Sequence, residues 1–405
     1  MPTAIVTGAT GILGREIVKK LGADPKTWST VHAISRSQKE PYPQNVQHTK
    51  VDLLTSPEEI ATQLANRGVD AEYLFFAAYM QKDDEQEMSD LNGDMIRNFL
   101  TALSITGAEK KLKRVVLTTG AKHYGVHLGP VKQPMEEDDP WVDGTPWPPN
   151  FYYRQQRVVA EMSASSSERI GRRSWDWVVT YPNDVIGVAE GNFMNLTTAL
   201  GLYASVSKEL NEALTYPGSP LFYTKFDCFT SSRIHAEFNL WAALNPDVSN
   251  QAFNIHDGDA QSWQTMWPRL AAHFGLSVPK QFVGDVEKVM PLADRPPLSQ
   301  QAEQMGIQDQ VPQGEVRMNI DLIKWAGRED VKQAWNKIAE RDGLKKDAFE
   351  KATWLFLNFV LGRNYDIVIS MNKARKFGWQ GWSDTWKELE ICLHELERRK
   401  VLPPK

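Results

Sequence analysis

The sequence predicts an α/β fold, a doubly wound parallel sheet with a smaller, mainly helical C-terminal region capping it. Three observations predict it. Short strand-like runs alternate with helical patterns through about residue 257, which is the signature of parallel strands joined by helices. The first strand passes at once into a glycine-rich turn, G-A-T-G-I-L-G, and then a helix. From Ala260 onward the chain turns helix-rich and aromatic, and many of its 14 Trp and 16 Phe lie there. The expected division is a sheet domain over 1–187, completed by about 222–257, and a capping region over 188–221 and 258–405.

The elements follow in order. Residues 3–7 (TAIVT) form a short buried strand, and the glycines Gly8, Gly11 and Gly14 open a helix that runs to about Leu21. Such a turn lets backbone approach a diphosphate, which the free N–H groups and dipole of the helix start then hold. The spacing G-x-x-G-x-x-G is that of the short-chain dehydrogenase/reductase superfamily, so the sheet is expected to be an NAD(P)-binding Rossmann domain. The second strand, from Val31, ends in Ser35 and Arg36. An acidic residue there would bind the ribose of NAD; Arg36 instead suits the 2′-phosphate of NADPH. The third strand, Val46–Asp52, places Asp52 and Leu53 to flank an adenine. The next helix runs from Pro57 to about Asn66, with Ser56 as N-cap and Glu59 completing a capping box. A fourth strand, Tyr73–Ala77, puts Ala77, Ala78 and Tyr79 at its carboxyl end, where open parallel sheets bind ligands. A helix around Asn92–Leu103 leads to a fifth strand, Arg114–Thr119, and a helix from the N-F-Y-Y segment runs to about Ser167.

Strand six starts at Trp177 and ends in the P-N-D-V-I-G turn. Its Pro182, Asn183, Val185 and Ile186 would return toward the nicotinamide. Asn192–Glu212 reads as a helix with an apolar stripe, and Phe193 and Met194 at its start are candidates for a substrate pocket. A strand over Phe222–Phe229, a helix over Ser231–Leu244 and a strand over Ala252–Ile255 bring the chain back to the sheet. A long helix from Ser262, a proline-bearing stretch at Lys280–Pro297 and an amphipathic closing helix complete it.

Bulk properties narrow the function classes. With 405 residues, 24% charged and a net charge of −5, nothing points to nucleic acid or an anionic membrane as partner. Two cysteines, Cys228 and Cys392, cannot build a disulfide framework, and no run approaches the ~18 apolar residues of a membrane span. The expectation is a cytoplasmic enzyme acting on a small apolar carbonyl substrate, with a homodimer as an option. No His/Cys cluster has zinc spacing, so no metal is expected.

The chemistry centres on a tyrosine. Many oxidoreductases on such a sheet pair a tyrosine with a lysine four residues later, but here Tyr153 is followed at that spacing by Arg157. A free phenol, with pKa near 10, needs a neighbouring cation to serve as donor at neutral pH. Strand five ends in T-T-G-A-K-H-Y-G, so Lys122 can supply that ammonium from the carboxyl end of the sheet. Spacing alone leaves it equally an ordinary exposed lysine. Helical register favours Tyr153, whose face carries Arg157 and Glu161, over Tyr152, whose face carries Gln156. His123 beside Lys122 is open to a general-base role or to packing, and Tyr124 joins it as a pocket candidate.

The segments GAKHYG, PNFYYRQQRVV, TYPNDVIG, NQAFNIHDGDAQSWQTMW and SMNKARKFGWQGW resemble the progesterone 5β-reductase/iridoid synthase-like family of extended short-chain reductases. There the lysine comes from a T-G-x-K-H-Y segment. The resemblance implies Lys122 and Tyr153 as catalytic pair, and Gly8, Thr10, Gly11, Ile12, Ser35, Arg36 and Asp52 as cofactor contacts. It places Thr119 and Gly120 beside the nicotinamide ribose, and folds a C-terminal segment with Met371 over the pocket. It further implies hydride delivery from NADPH to the β-carbon of an enone or enal. Reduction of a ketone, aldehyde or imine by the same residues, and an NADP-sensing protein without turnover, remain alternatives. Ala121, the Gln156–Arg157 pair and the tryptophan-rich stretch 126–149 depart from the family pattern.

Overall fold

The computed structural model describes residues 1–171, 175–280 and 286–405. Part of the expected linker at Lys280–Pro297 therefore lies outside the described residues. The amino-terminal half alternates as expected: β1 (Thr3–Thr7), α1 (Ile12–Ala23), β2 (Thr30–Ser35), β3 (Val46–Lys50), α2 (Pro57–Ala65), β4 (Tyr73–Phe76), α3 (Glu85–Thr106), β5 (Arg114–Thr118), α4 (Phe151–Ala164), α5 (Ser166–Ile170) and β6 (Asp176–Tyr181). After a two-residue strand β7 (Val185–Ile186) come α6 (Leu196–Glu209), β8 (Thr230–Ser231), α7 (Ser232–Leu244), β9 (Gln251–Asn254) and α8 (Trp263–Phe274). The carboxyl-terminal part holds β10 (Lys288–Pro291), α9 (Leu298–Gln304), β11 (Glu315–Met318), α10 (Leu322–Gly327), α11 (Glu329–Asp342), α12 (Trp354–Gly362), α13 (Asn372–Lys376) and α14 (Thr385–Arg398).

Seven strands form one parallel sheet in the order β3-β2-β1-β4-β5-β6-β9. The order reverses between β1 and β4, and there the crevice for a ligand opens at the strands' carboxyl ends. Both faces are covered, which is why the central strands β1, β4 and β5 are mainly apolar and buried and do not alternate. One face packs Ile5, Leu74, Phe76, Val115 and Leu117 against α2, α3 and α4; the other packs Val6, Phe75 and Val116 against α1 and α7. A separate aromatic core joins α6, α8, α10, α11, α12 and α14 around Tyr203, Trp263, Trp267, Trp325 and Trp335. The C-terminal aromatics are thus mainly core. Among the described residues no helix is long and apolar enough to cross a membrane.

Several boundaries differ from expectation. α3 begins seven residues earlier than Asn92, because Asp84 caps it by accepting the Glu87 N–H at 2.7 Å. It ends at Gly107, whose left-handed φ of +78° favours glycine. Phe222–Phe229 is not a strand. It forms a single 3-10 turn, Phe222–Thr224, followed by a segment fixed by polar contacts. The fully buried Asp227 there accepts from Asn183 Nδ2 at 3.0 Å and faces the guanidinium of Arg363. The helix expected from Asn192 starts at Leu196, with Asn195 as its cap.

Candidate active site

The glycine turn has the shape a dinucleotide needs. Gly8 adopts φ +67°, and a Cβ on it would lie 2.6 Å from the Ala77 carbonyl oxygen. A Cβ on Gly14 would lie 2.3 Å from the Gly8 carbonyl, so the turn closes tightly only with glycine at both positions. Gly11 caps α1 without a side-chain bond, which leaves the N–H groups of the first turn, at Ile12 onward, for an anion. Thr10 lies in the same turn, and Ile12 packs against Gly187 just after Val185 and Ile186, where a Cβ would meet it at 2.4 Å. Ala77 and Ala78 follow β4 against Gly8, with Tyr79 next. Ser35 bonds His48 Nε2 at 3.0 Å at the end of β2. Arg36 beyond it is exposed and makes no ion pair among the described residues. Asp52 and Leu53 follow β3, and Asp52 accepts the Leu54 N–H at 3.1 Å. A dinucleotide fits these residues: a Cβ-free cradle, an uncommitted helix start and a free guanidinium at the end of β2.

The turn after β5 is laid against the turn after β6. Thr119 N–H donates to the Thr180 carbonyl at 3.0 Å and Ala121 N–H to the Pro182 carbonyl at 2.9 Å. Asn183, behind Pro182, donates to Asp227 and to the Cys228 carbonyl. Lys122 then projects from a 3-10 turn, Ala121–Tyr124, and its Nζ pairs with Glu85 at 2.8 and 3.0 Å. The same ammonium stands 5.6 Å from the centre of the Phe151 ring. Burial lowers the Lys122 pKa, and Glu85 works against that by favouring the charged form.

The two tyrosines of N-F-Y-Y point to different places. The Tyr153 ring is fully buried. Its hydroxyl accepts the Val142 N–H at 2.9 Å and donates to the His123 carbonyl, and its face stacks on Trp141 at 4.6 Å. That hydroxyl is spent inside the protein, contrary to the choice made on helical register. Tyr152 is also buried, packed with Met88 and Phe151, but its hydroxyl ends at the turn after β5: a Cβ on Gly120 would lie 3.1 Å from the Tyr152 hydroxyl and 3.2 Å from the Pro182 carbonyl. Among the described residues no hydrogen bond holds the Tyr152 hydroxyl. Phe151 packs against Tyr152 at 4.2 Å and stacks with Tyr79 at 6.3 Å, forming an aromatic wall beside Lys122. Burial pushes the Tyr79 phenol up to about 12, with the Met194 backbone against it. Phe193, next to Met194, is 38% exposed.

Three expected pocket residues are packing residues. The His123 imidazole stacks on Tyr181 at 4.2 Å, and burial drives its pKa to about 3, which leaves it neutral and unsuited to collecting a proton at pH 7. Tyr124 donates to Asn254 Oδ1 at 2.6 Å in the interior. Met371 lies in a core with Val178, Ile234, Phe238 and Phe253, on the far side of β6 and β9 from the crevice wall. Arg157 finds its role at the surface, paired with Asp143 and set over the Trp141 ring at 5.4 Å. It pins the tryptophan-rich stretch to α4.

Residues 4–308 match the PRISE-like Rossmann-fold domain. The chain belongs to the PRISE family. This PRISE protein is 39% identical to Uncharacterized protein C757.02c of Schizosaccharomyces pombe, over 99% of its own length and 98% of the relative's. It is 26% identical to the (S)-8-oxocitronellyl enol synthase CYC2 of Camptotheca acuminata, over 99% and 93% of the two chains. Among solved structures it is similar to the UDP-glucose 4-epimerase of Thermotoga maritima, with a TM-score of 0.59 and 13% identity over 98% and 99%. That likeness shows the fold alone. Membership and fold together make this PRISE protein an oxidoreductase of the short-chain dehydrogenase/reductase type.

Two residues that contact Lys122 escape sequence reasoning. Glu85 reads as one acidic residue among several before α3. Asn150 caps α4, accepting the Tyr152 N–H at 3.1 Å, and its Nδ2 also donates to the Lys122 carbonyl at 2.8 Å. It therefore ties the lysine's turn to the tyrosine's helix. The only sequence signal was its place immediately before the F-Y-Y triplet.

Proposed function

We propose that the protein is an NADPH-dependent reductase of an α,β-unsaturated carbonyl carried on an apolar small molecule. Tyr152, and not Tyr153, supplies the hydroxyl that holds the substrate oxygen, with the Lys122 ammonium as the nearby cation. The observation that carries this is the Tyr152 hydroxyl, unclaimed by the protein and set against Gly120, two residues before Lys122 on the same turn. When bound, NADPH supplies the hydride. The glycine turn and the start of α1 would hold its diphosphate, Arg36 would meet its 2′-phosphate, and Gly120 and Pro182 would line its nicotinamide end. Tyr152 would donate to the carbonyl oxygen as hydride addition makes it an enolate, the positive charge of Lys122 would favour that anion, and a proton from solvent at the α-carbon would complete the saturated carbonyl. Phe193 and the half-buried Tyr79 offer apolar surface, so the substrate would be bound by its hydrocarbon part. The name of the Camptotheca relative, an enol synthase, agrees with a product released from such an oxyanion.

The test is product analysis with NADPH deuterated at the transferred position, on a panel of enones and enals. Deuterium on the β-carbon of a saturated carbonyl product is expected. Deuterium on the carbinol carbon would replace this reading with carbonyl reduction, and tight NADPH binding without turnover on any enone, enal or ketone would overturn it.

A further inference from the structure

α8 and α14 meet at a cluster outside the crevice. His273, in the last turn of α8, is 5% exposed, and neither ring nitrogen has a hydrogen-bond partner. A buried polar group in that state is destabilising unless something binds it. Opposite it, α14 presents Glu390, His394 and Glu397, spaced four and three residues apart and so on one face of the helix. One ligand atom from each of His273, Glu390 and His394 lies within 4.8 Å of the other two. The two imidazole rings stand 5.1 Å apart at 55°, neither stacked nor bonded to each other.

We propose that His273, Glu390 and His394 form a binding site for a divalent transition-metal ion, with Zn²⁺ the best match, which staples α14 to α8. Two imidazoles and one carboxylate are a ligand set that suits zinc and its neighbours, whereas Mg²⁺ and Ca²⁺ select oxygen. Zinc holds nitrogen and oxygen ligands at about 2.0–2.2 Å, so tetrahedral neighbours sit roughly 3.4 Å apart. The closing movement required falls to His394, whose side chain is 45% exposed and so has room to shift. Glu397 is the orienting partner. Its Oε2 lies 3.0 Å from His394 Nδ1, which fixes that nitrogen as the protonated one and leaves Nε2 for the metal. Its Oε1 lies 3.7 Å from His273 Nε2, adding negative charge to the site. Lys387, 3.4 Å from Glu390, is the competing cation; it is 68% exposed and swings into solvent at little cost. Because His273 is distant from α14 in the chain, the zinc-spacing pattern sought in the sequence could not reveal the set.

The experiment uses tag-free, full-length protein freed of metal by chelation, titrated calorimetrically with Zn²⁺ and spectroscopically with Co²⁺. One Zn²⁺ per chain is expected, with visible Co²⁺ absorption of a low-coordinate nitrogen/oxygen site and a higher thermal midpoint when saturated. His394→Ala and Glu390→Gln, both at partly exposed side chains that leave the fold intact, should weaken Zn²⁺ by at least about 100-fold and abolish the thermal gain. Glu397→Gln should weaken it by about 10-fold, as loss of an orienting partner does. No saturable binding, or equal affinity in wild type and both ligand variants, would overturn the proposal.

Discussion

Exchanging each hydroxyl of the adjacent tyrosines for hydrogen separates their two roles. Tyr152→Phe removes the donor proposed for the substrate oxygen and leaves no protein group unpaired, since no hydrogen bond among the described residues holds that hydroxyl. Losing one oxyanion donor typically lowers kcat by about 10²–10³, or about 2.7–4 kcal/mol. Stability should change little. Tyr153→Phe does the reverse. It strands the Val142 N–H and the His123 carbonyl in a fully buried place, which costs about 1–3 kcal/mol of stability. Its kcat should remain within a few-fold of wild type. The assay is single-turnover NADPH oxidation with a competent enone, alongside urea unfolding of each variant. A collapse of kcat in Tyr153→Phe without loss of stability, with Tyr152→Phe near wild type, would refute the assignment.

Other expectations concern charge. Glu85→Gln removes the group that favours the charged form of Lys122, so the Lys122 pKa should fall further. If the ammonium is the required form, activity is lost as pH rises through that pKa, and the alkaline limb of kcat/KM should move to lower pH in the variant. Arg36→Ala should raise KM for NADPH by about 10–100-fold, the worth of a charge-assisted hydrogen bond, while leaving NADH nearly unchanged; steady-state kinetics with both cofactors reads this. Burial works to raise the Glu395 pKa, but Arg15, Lys19 and Arg399 outweigh it and bring it to about 2. A depressed carboxylate contributes stability that is present above about pH 4.5 and lost as pH falls toward about 2. Glu395→Gln should therefore cost on the order of 2–3 kcal/mol at pH 7 and flatten acid unfolding over that window. Arg157→Ala should leave kcat unchanged and cost less than about 1 kcal/mol, since its pair with Asp143 is exposed, and should speed proteolysis within 126–149.

The sheet was legible because its signals are local: apolar strands, a glycine turn with one steric requirement, and caps such as Ser56 and Pro57 that name a helix start. Legibility ended where a side chain's fate depends on what comes from elsewhere in the chain. Helical register placed Arg157 and Glu161 on the face of Tyr153 and took that face for the crevice. The structure covers it instead with Trp141 from the stretch 126–149, whose path no periodicity encodes. Likewise Phe222–Phe229 has strand composition, but Asp227 and Arg363, far apart in sequence, hold it with a buried charge pair. Lys122 was read correctly as a residue of the turn after β5; that its cation is already matched by Glu85 needed the start of α3 in three dimensions.

The Asn150 bridge between the Lys122 carbonyl and the first turn of α4 has a consequence for how such sites can diversify. When tyrosine and lysine share one helix, their separation is set by helical pitch and no insertion between them is tolerated. Here two backbone contacts to one amide side chain fix the registration, and the chain from Val126 to Pro149 is released from that duty. It can lengthen, shorten or acquire tryptophans while the reacting groups keep their spacing. A loop exchange between relatives that retains Asn150 should thus leave the spacing of Lys122 and Tyr152 unaltered.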